Sequence, residues 1–274
     1  MPKLIDFKMI LTNIPQLLRY LPITLAIVAL SMIVGLIFAL IIALIRLKKV
    51  PGLSQLFTVL VSFVRGTPLL VQLYLSYYGI PIALRYWNYY NHTNYNINHI
   101  PAFLFVFIAF AINEAAYNSE NIRGALLSVD RGEIEAAESL GMTGIQILRR
   151  ITIPEALVVA LPTLGNQFIS LIKGTSLAFV AGVVEMTAEG QIIAGRNYRY
   201  FEVYLSLAII YWVLTVITEV IIRLIEKRIN RFRATQNVIT AKTSNLINKK
   251  LVSKNATAIS EINSVQEAFK EGVK

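Results

Sequence analysis

The 274 residues are 55% hydrophobic and only 15% charged, with a mean hydropathy of +0.59. A soluble domain of this size cannot bury that much apolar surface, so the composition points to an integral membrane protein. The net charge of +10 is carried by Lys and Arg that flank apolar runs, the pattern of topology signals and lipid anchors and not of a nucleic-acid partner, and the lack of cysteine excludes disulfides, thiol catalysis and thiolate metal sites.

Residues 4 to 20 mix apolar positions with Asp6, Lys8 and Arg19 and stop before Pro22. Residues 1–21 therefore read as an N-terminal interfacial segment lying along the membrane. The uncharged run Pro22 to Ile45 is long enough to cross a bilayer and too long for a signal-peptide core. Arg46, Lys48 and Lys49 follow it and predict a cytoplasmic turn. The second apolar region, Leu53 to Leu84, is interrupted by Arg65-Gly66-Thr67-Pro68. Gly and Pro loosen the backbone ladder, and an Arg at this depth costs roughly 2.5–3.5 kcal/mol unless paired or hydrated, so a discontinuous helix facing protein or a water-filled path is predicted. An external loop is expected from Pro81 to Ile100, where Tyr86, Trp87, Tyr89, Tyr90 and Tyr95 are interface aromatics. The two histidines, His92 and His99, fall in this loop, and no metal site is expected of them.

Span three is expected from about Pro101 to Asn121. It begins apolar and then carries Asn113, Glu114, Tyr117, Asn118 and Glu120, groups that must face a cavity or partner helices. Span four, about Pro154 to Leu177, places Asn166, Gln167 and Ser170 on one helix face with Lys173 a turn further on. Span five, about Val203 to Ile222, ends in a basic cluster. Five spans over residues 22–230 put the termini on opposite sides, and the Lys/Arg bias places the C-terminus in the cytoplasm and the N-terminus outside, with Lys3, Lys8 and Arg19 running against that bias. The basic stretch 231–274 reads as a largely disordered cytoplasmic tail. Ile259, Ile262, Val265 and Phe269 offer the alternative of a short docking helix.

Between spans three and four lies EIEAAESLGMTGIQILRRITIP, Glu133 to Pro154. It reads as a short helix, a glycine turn, and a basic amphipathic approach to a helix that Pro154 can start. Glu135-Ala136-Ala137, then Gly141, then Ile151-Thr152-Ile153-Pro154 resemble the EAA loop of the membrane subunits of bacterial ATP-binding-cassette importers. Phe63-Val64-Arg65-Gly66-Thr67-Pro68-Leu69-Leu70-Val71-Gln72 resembles a segment of the permeases for polar amino acids. Asn113-Glu114-Ala115-Ala116-Tyr117 and Gly165-Asn166-Gln167-Phe168 resemble the third and fourth spans of the same family, over roughly Leu21 to Asn230 in all. One departure is Gly174, where relatives commonly carry Asp.

This resemblance implies an all-α polytopic membrane protein with about five transmembrane helices and a cytoplasmic coupling helix, the type I importer permease fold, in the bacterial cytoplasmic membrane. It implies as partners a dimer of ATPase subunits, a second permease subunit of the same or a similar chain, and an extracellular or periplasmic amino-acid-binding protein. Cystine, glutamine, arginine and histidine are all consistent as cargo. The chain contains no G-x-x-x-x-G-K-[ST] phosphate loop. ATP and Mg are therefore expected on the partner ATPase, and no catalytic residue or cofactor on this chain. The coupling loop, about 131–154, would seat Glu135, Ala136, Ala137 and Glu138 in a groove of the ATPase and transmit its closure through Gly141 and Pro154. For the substrate path the candidates are Arg65, Gln72, Glu114, Asn118, Asn166, Gln167 and Ser170. Either these groups meet an amino-acid zwitterion, or Arg65 and Glu114 pair with each other or with backbone groups and hold the bundle together. The rival readings are a permease of the same fold for another small solute, such as methionine, phosphonate or an osmolyte, and a channel- or exporter-type membrane protein.

Overall fold

Asp6 opens the first helix. Its carboxylate accepts from the N–H groups of Lys8 and Met9 at 3.0 and 3.3 Å, an N-cap for α1 (Phe7–Leu18). The computed structural model describes residues 5 to 229, and every regular element among them is helical. The expectations for the tail 231–274 lie outside the described residues. At 12 residues α1 is too short to cross a bilayer. It buries Ile10 and Leu17 and leaves Phe7 and Leu11 exposed.

Pro22 sits in the first turn of α2 (Leu21–Leu47), where its missing N–H costs nothing. Next, α3 (Leu53–Gly66) and α4 (Leu69–Asn91) form the discontinuous helix that the sequence predicts, bent by 111° at Thr67-Pro68. Pro68 holds Thr67 in the extended region, which α3 cannot continue. Farther on, α4 runs through Pro81 to Asn91 and ends at His92 with φ 50°. This corrects the loop expected from Pro81: one interrupted ladder bond is tolerated where neighbouring groups re-satisfy the backbone, so Tyr86, Trp87, Tyr89 and Tyr90 are on the helix. Only residues 92 to 101 connect it to α5 (Ala102–Leu127), with a short 3-10 turn at Ile97–His99.

Asp130 caps α6 (Arg131–Ser139) by accepting from the Gly132 N–H at 2.9 Å. A capping box of Thr143 and Gln146 starts α7 (Gly144–Ile147), which passes through a π-helical stretch, Leu148–Thr152, into α8 (Ile153–Gly174). The sequence places the start of the fourth span at Pro154, which falls in the first turn of α8, but helix already runs up to it from Gly144. Pro154 has no N–H to give and its ring crowds the carbonyl four residues back. The wider π turn, closed by the Ile153 N–H on the Leu148 carbonyl, carries the helix across that position. A 3-10 segment, Thr175–Ala181, then leads to α9 (Met186–Asn197) and α10 (Tyr200–Ile229). Among the described residues α2, α5, the α7–α8 run and α10 are each long and apolar enough to cross a membrane, and the bent pair α3–α4, taken as one span, brings the total to five.

By packing, the chain divides into a unit through Arg223 and a second from Leu224, of which only helical residues to Ile229 are described. In the first unit Ile27, Val28, Leu73, Val106, Phe110 and Ile172 form the main core between α2, α4, α5 and α8. A second cluster, Leu17, Met186, Val203 and Leu207, joins α1 to α9 and α10. A third, Ala125, Val129, Ala156 and Ala160, has Ile134 of α6 packed against it.

Candidate functional site

A helix broken inside a membrane leaves carbonyl groups without donors. Gln72, near the start of α4, supplies them: its Nε2 donates to the carbonyls of Val64 at 2.7 Å and Thr67 at 3.0 Å, and reaches Thr67 Oγ1 at 3.0 Å. Its Oε1 accepts from Asn113 Nδ2 on α5 at 2.9 Å. This glutamine closes the break and ties it to the polar half of α5.

Against the break lies a cavity of about 360 Å³. Its walls are Thr67, Pro68 and Leu69 at the break, Asn113, Glu114 and Tyr117 on α5, and Gln167 and Ser170 on α8. Glu114 is only 1% exposed. One carboxylate oxygen accepts from Gln167 Nε2 at 3.0 Å and the other from Asn118 Nδ2 at 2.9 Å. The two bonds hold it across the α5–α8 contact. Pro68 stands at the head of α4 with no side chain capping the helix, so the positive end of a 23-residue helix opens at the cavity wall.

Of the residues singled out from sequence, Glu114, Gln167 and Ser170 line this cavity, while Gln72 and the fully buried Asn118 bond to its walls. Asn166 is exposed and outside the lining. Arg65 also stands outside it, with its guanidinium 5.4 Å from the centroid of the Tyr117 ring and its carbonyl accepting from the Tyr117 hydroxyl at 3.4 Å. It forms no ion pair with Glu114. Sequence reasoning expected Asn113 and Tyr117 to face a cavity or partner helices, and both stand in its walls; it missed the head of α4. The proline after the break was the signal for that head, because a helix restarting there must present free N–H groups. Gly174 also borders the cavity, where an added Cβ would lie 3.4 Å from Phe110.

The second region is α6 and its exit. Glu135, Ala136 and Glu138 are exposed, whereas Ala137 is 3% exposed and faces its own chain. Gly141, at φ 76°, ends the helix: its N–H donates to the Glu138 carbonyl at 2.9 Å and the Met142 N–H to the Ala137 carbonyl at 3.1 Å. This is a Schellman ending, which needs the left-handed residue. Leu140 at 83% and Ile145 at 79% exposure follow on the same connection. Neither was singled out from sequence. Pro154 lies in the first turn of α8 and is itself exposed.

Four helices long and apolar enough to span a membrane and a helix pair broken beside a polar cavity, with an exposed capped helix between two of them, define a polytopic membrane protein. Residues 31–231 match the family of binding-protein-dependent transport system inner membrane components, and the chain belongs to that family. It is 43% identical over 227 residues to the probable amino-acid permease protein YxeN of Bacillus subtilis, covering 83% of this chain and 97% of that one. It is 40% identical over 231 residues to the L-cystine transport system permease protein TcyL of the same organism, covering 84% and 94%. A crystal structure of an amino acid ABC transporter with histidines is 36% identical, with a TM-score of 0.70 over 82% of this chain and 99% of that chain.

Proposed function

We propose that this chain is the permease subunit of an ATP-driven importer and translocates a polar amino acid delivered by an external binding protein. The observation that carries the substrate class is the pairing of Glu114 with the head of α4 on one cavity. An amino-acid zwitterion needs an anion for its ammonium group and donors for its carboxylate. Glu114 is the one acid among the lining residues, and the first N–H groups of α4 point a helix dipole at the same space. Gln167 and Ser170 add neutral partners. These groups read the part that cystine, glutamine, arginine and histidine share. Similarity to permeases named for amino acids and for cystine supports the same class.

The energy source lies on another chain in this reading. The carboxylates of Glu135 and Glu138, with Leu140 and Ile145 following on the same connection, form an exposed surface for the ATPase subunits, which hold ATP and Mg. Closure of the ATPase pushes α6, and the continuous helix from Gly144 carries the movement into α8 and so to Gln167. A second permease subunit completes the pathway in a bacterial cytoplasmic membrane, with α6 and the C-terminus inside and the N-terminus outside.

The test is ATPase activity of the assembled complex in nanodiscs, with and without amino-acid-loaded binding protein. Wild type is expected to be stimulated. Glu135→Lys is expected to abolish the stimulation, because it reverses a charge on the docking surface. Glu114→Gln is expected to lower amino-acid uptake by about tenfold or more, the scale of one buried charge-assisted bond. If no ATPase assembles with the chain, the importer reading fails. If Glu114→Gln transports like wild type, the zwitterion site fails and the importer reading stands.

A further inference from the structure

A second cavity, of about 510 Å³, lies between α2, α3 and α5 and shares no lining residue with the polar one. Its lining is wholly apolar. Val34, Phe38 and Ile42 stand four residues apart on α2 and form one stripe. Phe57 and Val64 on α3 make the facing wall, and Ala111 and Ala115 on α5 a floor of small side chains. From Val34 to Ile42 the slot is about 12 Å long at ~1.5 Å per residue.

The stripe on α2 does not end apolar. One turn beyond Ile42 comes Arg46, and then Lys48 and Lys49, both exposed in the turn before α3. Arg46 donates to Glu120 at 2.6 Å and to Thr58 Oγ1 at 3.2 Å, and Glu120 is shared with Arg123 at 2.8 Å. Four cations against one carboxylate leave a net charge of +3 at this end. No Asp or Glu occurs between Asp6 and Glu114, so α2, α3 and α4 bring no other acid to it. An apolar slot whose Ile42 end lies one helical turn from this cationic cluster has the complementarity of one lipid molecule: tail, then anionic headgroup.

We propose that this slot holds an acyl chain of an anionic phospholipid whose headgroup sits at Lys48 and Lys49, beside the Arg46–Glu120 pair. Such a lipid fills the gap between the first span and the first arm of the broken one, next to the α5 segment that carries Glu114. It is a bound component of the fold and separate from the transported solute.

The test places a photoreactive benzoylphenylalanine at Phe38 in the assembled complex, in nanodiscs of phosphatidylcholine with a minority of phosphatidylglycerol, and weighs the adducts after irradiation. Phosphatidylglycerol adducts are expected in excess over the bulk ratio, by about fivefold per lysine involved. Lys48→Gln with Lys49→Gln should return them to the bulk ratio. Adducts at the bulk ratio in the unaltered lysine background, an adduct to a second copy of this chain, or no adduct would each overturn the proposal. Should the reporter variant fail to assemble, native mass spectrometry of the unsubstituted complex decides. Retained phosphatidylglycerol that the double lysine variant loses supports the site, and equal retention or none refutes it.

Discussion

A glutamine amide within a membrane span carries two donors and an acceptor, and each is costly in hydrocarbon without a partner. Gln72 uses all of this capacity, with Nε2 on the carbonyls of Val64 and Thr67 and Oε1 on Asn113. Gln72→Leu keeps most of the volume and removes the donors, leaving those carbonyls unpaired. We expect a loss of about 1–3 kcal/mol, seen as a lower thermal midpoint of the purified complex. Asn113→Ala removes only the contact on Oε1 and is expected to cost less. An unchanged midpoint for Gln72→Leu would mean that the break finds its donors elsewhere. Arg65-Gly66-Thr67-Pro68 marked the break in the sequence, but which residue heals it did not follow, because that depends on the 111° bend folding α4 back over the end of α3. The same bend explains Arg65, which rests on the Tyr117 ring while Glu114 takes its partners from Asn118 and Gln167.

Helix contacts are set by glycines that hydropathy does not rank. At Gly35 a Cβ would lie 2.6 Å from the Glu114 Cβ and 3.2 Å from the Ala111 carbonyl oxygen, so the close approach of α2 to α5 requires glycine there. Gly35→Ala must part the two helices and is expected to cost about 1–3 kcal/mol and to lower uptake, since it displaces Glu114. Gly79, on α4, has nothing within 4 Å of a built Cβ. Gly79→Ala is therefore the matched control and is expected to stabilise by about 0.5–1 kcal/mol; equal thermal midpoints for the two variants would refute the packing argument. Gly141 is a different case, for its φ of 76° and not its space is the constraint. Gly141→Ala is expected to cost about 1–2 kcal/mol and to reduce binding-protein-stimulated ATPase activity while amino-acid binding at the cavity is kept. Apolar run length located α2, α5 and α10 well, because a bilayer requires long uncharged helices. It missed α9, whose buried face of Met186, Ile193 and Ala194 is interleaved with polar residues. It placed the start of the fourth span at Pro154, in the first turn of α8, but did not show that a π turn joins this helix without a break to α7.

Sidedness is a property of the whole chain, and one ion cluster groups its basic segments. The 2.6 Å bridge from Arg46 to Glu120 ties the C-terminal end of α2 to that of α5. The turn with Lys48 and Lys49 therefore shares a membrane face with the segment that follows α5, including Arg131 and α6. At 26 residues α5 is about 39 Å long, against a hydrocarbon core of about 30 Å, so the connection before it, residues 92 to 101, lies on the other face. The Lys/Arg excess predicts a cytoplasmic α6 face. Because the chain has no cysteine, single substitutions report position without background. Asn94→Cys and Leu140→Cys replace exposed residues at the two ends of α5. An impermeant maleimide is expected to label Asn94→Cys in intact cells and Leu140→Cys only in inside-out vesicles. Labelling in the reverse sense would invert the chain in the membrane and take α6 away from any cytoplasmic ATPase. Labelling of both positions from one side would break the five-span topology itself, since it would leave α5 unable to cross.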